Sequence, residues 1–397
     1  MNKQIIALML CLCLLAMPVL TSKAYGQDIQ PATQTAFDLP CKAAVLIDQD
    51  SGTVLYEKNA DEQMPIASIT TGMTLLLAFE ALEAGKVSLD DIVPVSEHAY
   101  GMGGSQIWLE PGEQLTLNDM FKAICICSAN DAAVAVSEFI GGSEPVFVEQ
   151  MNARAAALGM SNTHFENACG LDAANHLSTA RDVSTMSREM LMNHPEVENY
   201  CTVWMDALRG GQTQLINTNK LLKSYSGITG LKTGTTGGAG VCISASATRD
   251  GLRLIAVVLG SPSGKERFAA ATTLLDYGFA NFENAVVSLP ENMPGTLPVT
   301  SGMEETVGLA YASPEKYFMP KGQGTALSAE LELPQSLAAP LAEGTQVGTV
   351  HILNNGTTIA DYPVTASNTV AAREFGICFR RLVGALLLRP TDFVQIG

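Results

Sequence analysis

Ser68, Ser128 and Lys232 are the residues of this chain whose types and neighbours suit acyl-transfer chemistry. A serine hydroxyl is a weak nucleophile until a neighbouring base takes its proton. The stretch after Ser68 reads as a helix, and backbone N–H groups at a helix start lie where an oxyanion on an attacked carbonyl would develop. A residue three positions on shares that helical face, so the side chain at 71 sits beside Ser68. Here it is Thr71, and a threonine hydroxyl is no base near neutral pH. Ser128 and Asn130 fall in a break between two apolar helical runs, where polar side chains can turn into a cleft. Lys232-Thr233-Gly234 falls on an expected strand: the lysine offers a positive charge, and Thr233 and Gly234 let a substrate pair along the strand edge. Read singly, each group has an ordinary alternative: Ser68 as a helix N-cap, Ser128 and Asn130 as a helix-cap pair, Lys232 as a solvated lysine beside a turn.

The elements that must hold these residues are legible around them. Ala43 to Asp48 and Thr53 to Lys58 read as strands about an Asp50-Ser51-Gly52 turn. The helical region after Ser68 stops at Gly85. It carries Ile69, Met73, Leu76 and Leu77 on one face and Leu75, Phe79 and Leu82 on the other, as a buried helix does. From Leu117 to about Met192 the pattern is mostly helical, interrupted near Ser128 and Asn167. Beyond Gly227 it returns to strands, with Val241 to Ala247 and Leu252 to Leu259 flanking Asp250-Gly251, and Arg267 to Phe279 reads as a closing helix. This order predicts an α+β fold over residues 38–283: one antiparallel sheet flanked by helices.

Residues 284–370 predict a second, smaller all-β domain. They are rich in Pro, Gly and Thr, and Leu327, Ala329, Leu331 and Leu333 alternate with Ser328, Glu330 and Glu332. The final segment, 371–397, holds a basic amphipathic stretch at 373–388. There Phe375, Cys378, Phe379, Leu382, Val383 and Leu386 share a stripe near Arg373, Arg380 and Arg381. Such a helix either lies on an anionic membrane surface or packs on its own domain; it is too short and too charged to span a bilayer.

Composition bounds the function. The 397 residues are 47% hydrophobic and 16% charged, enough for a large core and two domains. Residues 1–26 read as a secretory signal, with Lys3 at the positive start, an apolar run from Ile5 to Leu20 and Ala24-Tyr25-Gly26 for cleavage before Gln27; a retained membrane anchor is the alternative. The formal net charge is −17, and loss of Lys3 and Lys23 with the signal makes it more negative, which excludes nucleic acid as a partner. A soluble body in an extracytoplasmic space fits both observations. Outside the signal stand Cys41, Cys125, Cys127, Cys169, Cys201, Cys242 and Cys378, odd in number and irregular in spacing, so no disulfide framework is expected. Cys125-Ile126-Cys127 lies in an apolar run and reads as buried thiols. The five histidines form no ligand cluster, and neither a metal nor another cofactor is expected.

Together, Ser68-Ile69-Thr70-Thr71, Ser128-Ala129-Asn130 and Lys232-Thr233-Gly234 resemble the S-x-x-K, S-x-N and K-T-G motifs of the penicillin-recognising serine acyltransferases, with Thr71 where that family has its lysine. Pro65-Ile66-Ala67 and Met73-Thr74 add a resemblance to the D-alanyl-D-alanine carboxypeptidases, the low-molecular-weight penicillin-binding proteins. Ser105 to Glu113, Asn162 to Phe165, Ser178 to Asp182, Gly230 to Thr236 and Gly344 to Val350 extend the likeness over nearly the whole chain. The resemblance implies a β-lactamase/transpeptidase-like fold and removal of the terminal D-alanine from peptidoglycan stem peptides through an acyl-enzyme on Ser68. β-Lactam antibiotics would bind at the same serine. It implies that Ser128 shuttles a proton toward the leaving group, that Asn130 bonds the substrate amide, and that Lys232 and Thr233 hold the substrate's terminal carboxylate. Two alternatives remain open at this level. One is a catalytically impaired homologue that binds cell-wall peptide, favoured by Thr71. The other is a β-lactamase, for which Glu189 and Asn193 fit an E-x-x-x-N pattern, although Met186, Met190 and Leu191 set them on a helix. An α/β-hydrolase is excluded by the lack of a G-x-S-x-G elbow.

Overall fold

Two turns shape the hairpins from which the main sheet is built. At the first, the Asp48 carboxylate accepts from the Ser51 backbone N–H at 2.7 Å and the Ser51 hydroxyl at 2.6 Å. At the second, Asp250 and Gly251 both take positive φ, 51° and 79°, the left-handed pair that a two-residue hairpin turn requires. The computed structural model describes residues 32–33, 38–290, 292–312, 316–323 and 327–376, with positions 379 and 383. The signal segment and most of the basic C-terminal stretch therefore lie outside the described residues. The chain divides into two compact units, one ending at Asn284 and the other beginning at Ala285.

The main sheet of the first unit has six strands: β1 (Ala32–Thr33), β2 (Ala43–Asp48), β3 (Val54–Lys58), β4 (Ile228–Thr236), β5 (Gly240–Arg249) and β6 (Leu252–Ser261). Their order across the sheet is β1-β3-β2-β6-β5-β4. Every pairing is antiparallel except the short one of β1 with β3. Helices α1 (Thr71–Glu83), α2 (Asn130–Gly141), α3 (Ala180–Asn193) and α4 (Gly264–Asn281) complete the frame.

Both faces of the sheet are covered, which explains why β2 is buried at every position. Ala43, Val45 and Ile47 of β2 and Ile255, Val257 and Leu259 of β6 join one core with Ile69, Met73 and Leu76. On the opposite face, Leu46 and Leu254 meet α4 at Gly278. Helix α1 is buried on almost all sides and packs against α2 and α3. Its Phe79 ring lies 4.8 Å from that of Phe121, and burial of a side chain this size is worth roughly 1.5–3 kcal/mol.

One local expectation is corrected. Ser68 does not begin an α-helix. Ala67–Thr70 form a 3-10 turn, and the α-helix starts at Thr71. Ala67, with φ 51°, marks the point before which no right-handed helix can continue.

The second unit is a six-stranded sheet that includes Thr296–Thr300, Thr306–Tyr311, Leu327–Glu332, Gln346–Asn354 and Thr357–Ala366. Period two holds over Leu327–Glu332: Leu327 and Ala329 are buried, and Ser328, Glu330 and Glu332 are exposed. Val307, Met319, Val350, Ile352 and Val364 form its core. No helix among the described residues of either unit is long and apolar enough to cross a membrane.

Candidate active site

The turn that carries Ser68 is held from two sides by glycine. A Cβ at Gly170, where φ is +89°, would lie 2.0 Å from the Ala67 carbonyl oxygen. A Cβ at Gly234 of β4 would lie 2.9 Å from the Ile66 carbonyl oxygen and 3.0 Å from the Ser68 nitrogen. The third motif is thus in backbone contact with the first, and its glycine is there because no side chain fits. Ser68 itself is half-buried. Thr71 is fully buried and its hydroxyl donates to the Ser68 carbonyl oxygen at 2.9 Å.

A polar chain fixes the same turn from behind. The Glu166 backbone N–H donates to His176 Nδ1 at 3.1 Å, so the proton of a neutral imidazole sits on Nε2. That Nε2–H donates to Thr70 Oγ1 at 2.7 Å, and the Thr70 hydroxyl donates to the Ala67 carbonyl at 2.8 Å. Burial pushes the His176 pKa down to about 4, so the ring is neutral near pH 7. Thr74 Oγ1 adds a bond of 2.6 Å to the Ala168 carbonyl. Asp172 joins this loop to the end of β4, accepting from Thr236 Oγ1 at 2.6 Å and the Gly238 N–H at 2.9 Å.

The second motif leaves a distorted helix end. Ala123–Cys127 form a π-helical turn, and Ser128 follows in the left-handed region at φ 63°, ψ 39°. The next helix, α2, is tied to the segment before it: the Asn130 N–H donates to the Ser105 carbonyl at 2.7 Å, and Asn130 Nδ2 donates to the Gly103 carbonyl at 2.8 Å. Asp131, buried, accepts from the N–H groups of Ile107, Leu109 and Ala132. The Asn130 side-chain oxygen is buried without a partner among the described residues. An unpaired buried acceptor is costly, and a site awaiting a donor is one of the few reasons to keep it.

Lys232 links the second and third motifs. Its Nζ donates to Ser128 Oγ at 2.6 Å and to the Thr233 carbonyl at 2.8 Å, with the residue 3% exposed. Burial first, with Arg267 pushing the same way, lowers its pKa to about 8. Thr233 Oγ1 meets Thr218 Oγ1 at 2.6 Å, and the Thr218 N–H donates to the Ile126 carbonyl, a second tie between these motifs. Beneath the strand, Arg267 of α4 donates to the carbonyls of Gly234 at 3.2 Å and Cys242 at 3.1 Å. Sequence reasoning missed His176, Thr218, Arg267 and Asp131. Only a buried polar residue in an otherwise apolar pattern could have hinted at any of them.

The carboxylate that a β-lactamase reading needs is committed elsewhere. Glu189 lies within α3 and accepts from Arg154 at 2.5 Å, with Glu80 on the same guanidinium. It belongs to a helix–helix ion pair and not to a loop over a cleft. Cys125 is buried and Cys127 half-buried in the turn before Ser128.

Known proteins resemble this chain over most of its length. A family model described as D-alanyl-D-alanine carboxypeptidase matches residues 30–263, and one described as the C-terminal domain of penicillin-binding protein 5 matches residues 284–372. The chain is 38% identical to D-alanyl-D-alanine carboxypeptidase DacF of Bacillus subtilis over 362 residues, 90% of this chain and 92% of that protein. It is 36% identical to DacC of Escherichia coli over 351 residues, 86% and 87% of the respective chains. Among solved structures, penicillin binding protein 5 from Haemophilus influenzae matches with a TM-score of 0.72 at 32% identity, covering 84% of this chain and 98% of that one.

Two outcomes follow from the clamp on the Ser68 turn. Gly170→Ala should destabilise the protein by at least about 2 kcal/mol in urea unfolding, because the added Cβ meets backbone and the φ is positive. His176→Gln keeps a donor for Thr70 but cannot titrate. The parent ring binds a proton more readily unfolded, near its ordinary 6.5, than folded, near 4. Its stability is therefore present above pH 6.5 and is lost as pH falls from there toward 4, by up to about 3 kcal/mol. The glutamine variant should lose less over that window, and equal losses would show that His176 is not buried neutral.

Proposed function

This chain belongs to the D-alanyl-D-alanine carboxypeptidase family, and we propose that Ser68 attacks the terminal D-alanyl-D-alanine bond of a peptidoglycan stem peptide to form an acyl-enzyme. Penicillin is taken up at the same serine. The observation that carries this reading is the pair of contacts made by one strand: Gly234 against the Ser68 nitrogen and Lys232 on Ser128 Oγ.

The roles follow from the chemistry of each group. A substrate lying along the β4 edge presents its scissile carbonyl to Ser68, with the N–H groups of the turn beside the developing oxyanion. The unpartnered oxygen of Asn130 suits an incoming amide N–H. Lys232, Thr233 and the open edge at Gly234 receive the terminal carboxylate, and Ser128 passes a proton to the departing amine. The same reading divides the chain into a signal peptide (1–26), a catalytic domain (38–283), a β domain (284–370) and a C-terminal segment (371–397). It sets the work outside the cytoplasm, where peptidoglycan lies.

Thr71 supports a second reading, a cell-wall peptide-binding protein that turns over little, since no base stands at that position. Losing a general base costs about 10² to 10⁴ in rate. Labelled penicillin followed by intact-mass measurement separates the two. We expect one adduct per chain, absent in Ser68→Ala, formed slowly by the parent near neutral pH and about 10²-fold faster by Thr71→Lys. No adduct on either the parent or Thr71→Lys would hand the lead to the binding-protein reading.

A further inference from the structure

A nucleophilic serine needs a proton acceptor, and most nearby candidates are already committed. Thr71 spends its hydroxyl on the Ser68 carbonyl. Both nitrogens of His176 are engaged by Glu166 and Thr70. Asp131 is taken up by three backbone N–H groups, and Asp172 by Thr236 and Gly238. The Cys127 thiol is pushed up to about 11 by burial and holds its proton. Lys232 remains. Residues two apart on a strand face the same side. Since the Cβ direction of Gly234 points at the Ser68 nitrogen, the Lys232 side chain leaves β4 on the Ser68 side of the sheet. Its nitrogen ends 2.6 Å from Ser128 Oγ.

We propose that Lys232 acts as the general base for Ser68 through Ser128, replacing the lysine absent at position 71. This rests on the acyl-enzyme reading above. With Lys232 as the free amine, the Ser68 hydroxyl proton moves to Ser128 Oγ while the proton of Ser128 moves to Lys232 Nζ. The Ser68 Oγ–carbon bond forms, and the carbonyl electron pair moves onto oxygen. Collapse breaks the carbon–nitrogen bond, and the ammonium returns its proton through Ser128 to the leaving amine. Water then attacks the ester, gives its proton along the same route, and the proton ends on Ser68 as its oxygen departs.

The surroundings of the amine favour the free base. No carboxylate pairs with Lys232 among the described residues. The groups that face it are the thiols of Cys125 and Cys127 from the turn before Ser128, the thiol of Cys201 from the short helix Glu198–Cys201, and the Arg267 guanidinium from α4. Burial and Arg267 both disfavour the ammonium, and the ordinary value of 10.5 falls to about 8. Near pH 7 a minority of molecules then hold the base ready, enough for slow acylation.

The test is the rate of penicillin adduct formation on the intact protein across pH, in the parent, Lys232→Arg and Ser128→Ala. In the parent the rate should climb as pH rises through about 8, because the free amine is the active form. Lys232→Arg keeps the positive charge and loses the proton acceptor. Its acylation should fall by about 10² or more at alkaline pH, with the penicillin concentration for half-saturation changed by no more than a few-fold. Ser128→Ala should fall comparably, and the double variant little further; Ser128→Ala decides alone if Lys232→Arg fails to fold. A flat parent profile, or an arginine variant as fast as the parent, overturns the assignment of Lys232 while leaving the acyl-enzyme intact. Absence of any adduct at every pH overturns the acyl-enzyme reading itself.

Discussion

The Ser68 turn is wedged between two stretches of backbone that come closer than any side chain permits. Gly170 presses on the Ala67 carbonyl from one side and Gly234 on the Ser68 nitrogen from the other. Ala67 between them has positive φ, so no right-handed helix passes through it, and the α-helix follows from Thr71. The rest of the unit serves this wedge. The sheet fixes β4 through its antiparallel ladder with β5, and the buried face of α1 fixes the turn against the core.

Around the wedge the interior is polar, and most of its polar groups are hydrogen-bonded to named partners. His176, Thr70 and Thr74 fasten the loop of Gly170 to the turn. Asp131 holds the chain at Ile107 and Leu109, while Trp108 between them is turned out to solvent with φ 58°. Arg267 lies under the strand on the carbonyl oxygens of Gly234 and Cys242 and the Thr235 hydroxyl, and burial lowers its pKa to about 10. Two buried cations with no carboxylate partner among the described residues create a positive interior, attractive to an anionic ligand and expensive to maintain without one.

Much of this was readable before the coordinates. Turn chemistry at Asp50-Ser51-Gly52 and Asp250-Gly251 located the hairpins, because positive φ has few residue solutions. Motif order singles out Ser68, Ser128, Asn130 and Lys232, and of these the structure joins Lys232 to Ser128 directly. Two backbone features were invisible. The π turn at Ala123–Cys127 carries the same apolar periodicity as an α-helix, so one extra residue leaves no trace. The 3-10 turn at Ser68 lies against Gly170, about a hundred residues away. His176 and Thr218 likewise acquire meaning only through partners distant in sequence, which local propensity cannot encode.

Thr71 also alters the division of labour inside the cleft. A relative with two lysines can dedicate one to proton removal and leave the other permanently charged to hold a carboxylate. Under the base role proposed for Lys232, a single nitrogen takes both tasks, and they oppose each other. A bound carboxylate favours the ammonium, so the ligand that docks best by charge also keeps the base loaded with its proton. Affinity and turnover then compete for one lone pair. Such a site rewards neutral acyl donors over anionic ones, a bias that a second lysine would erase.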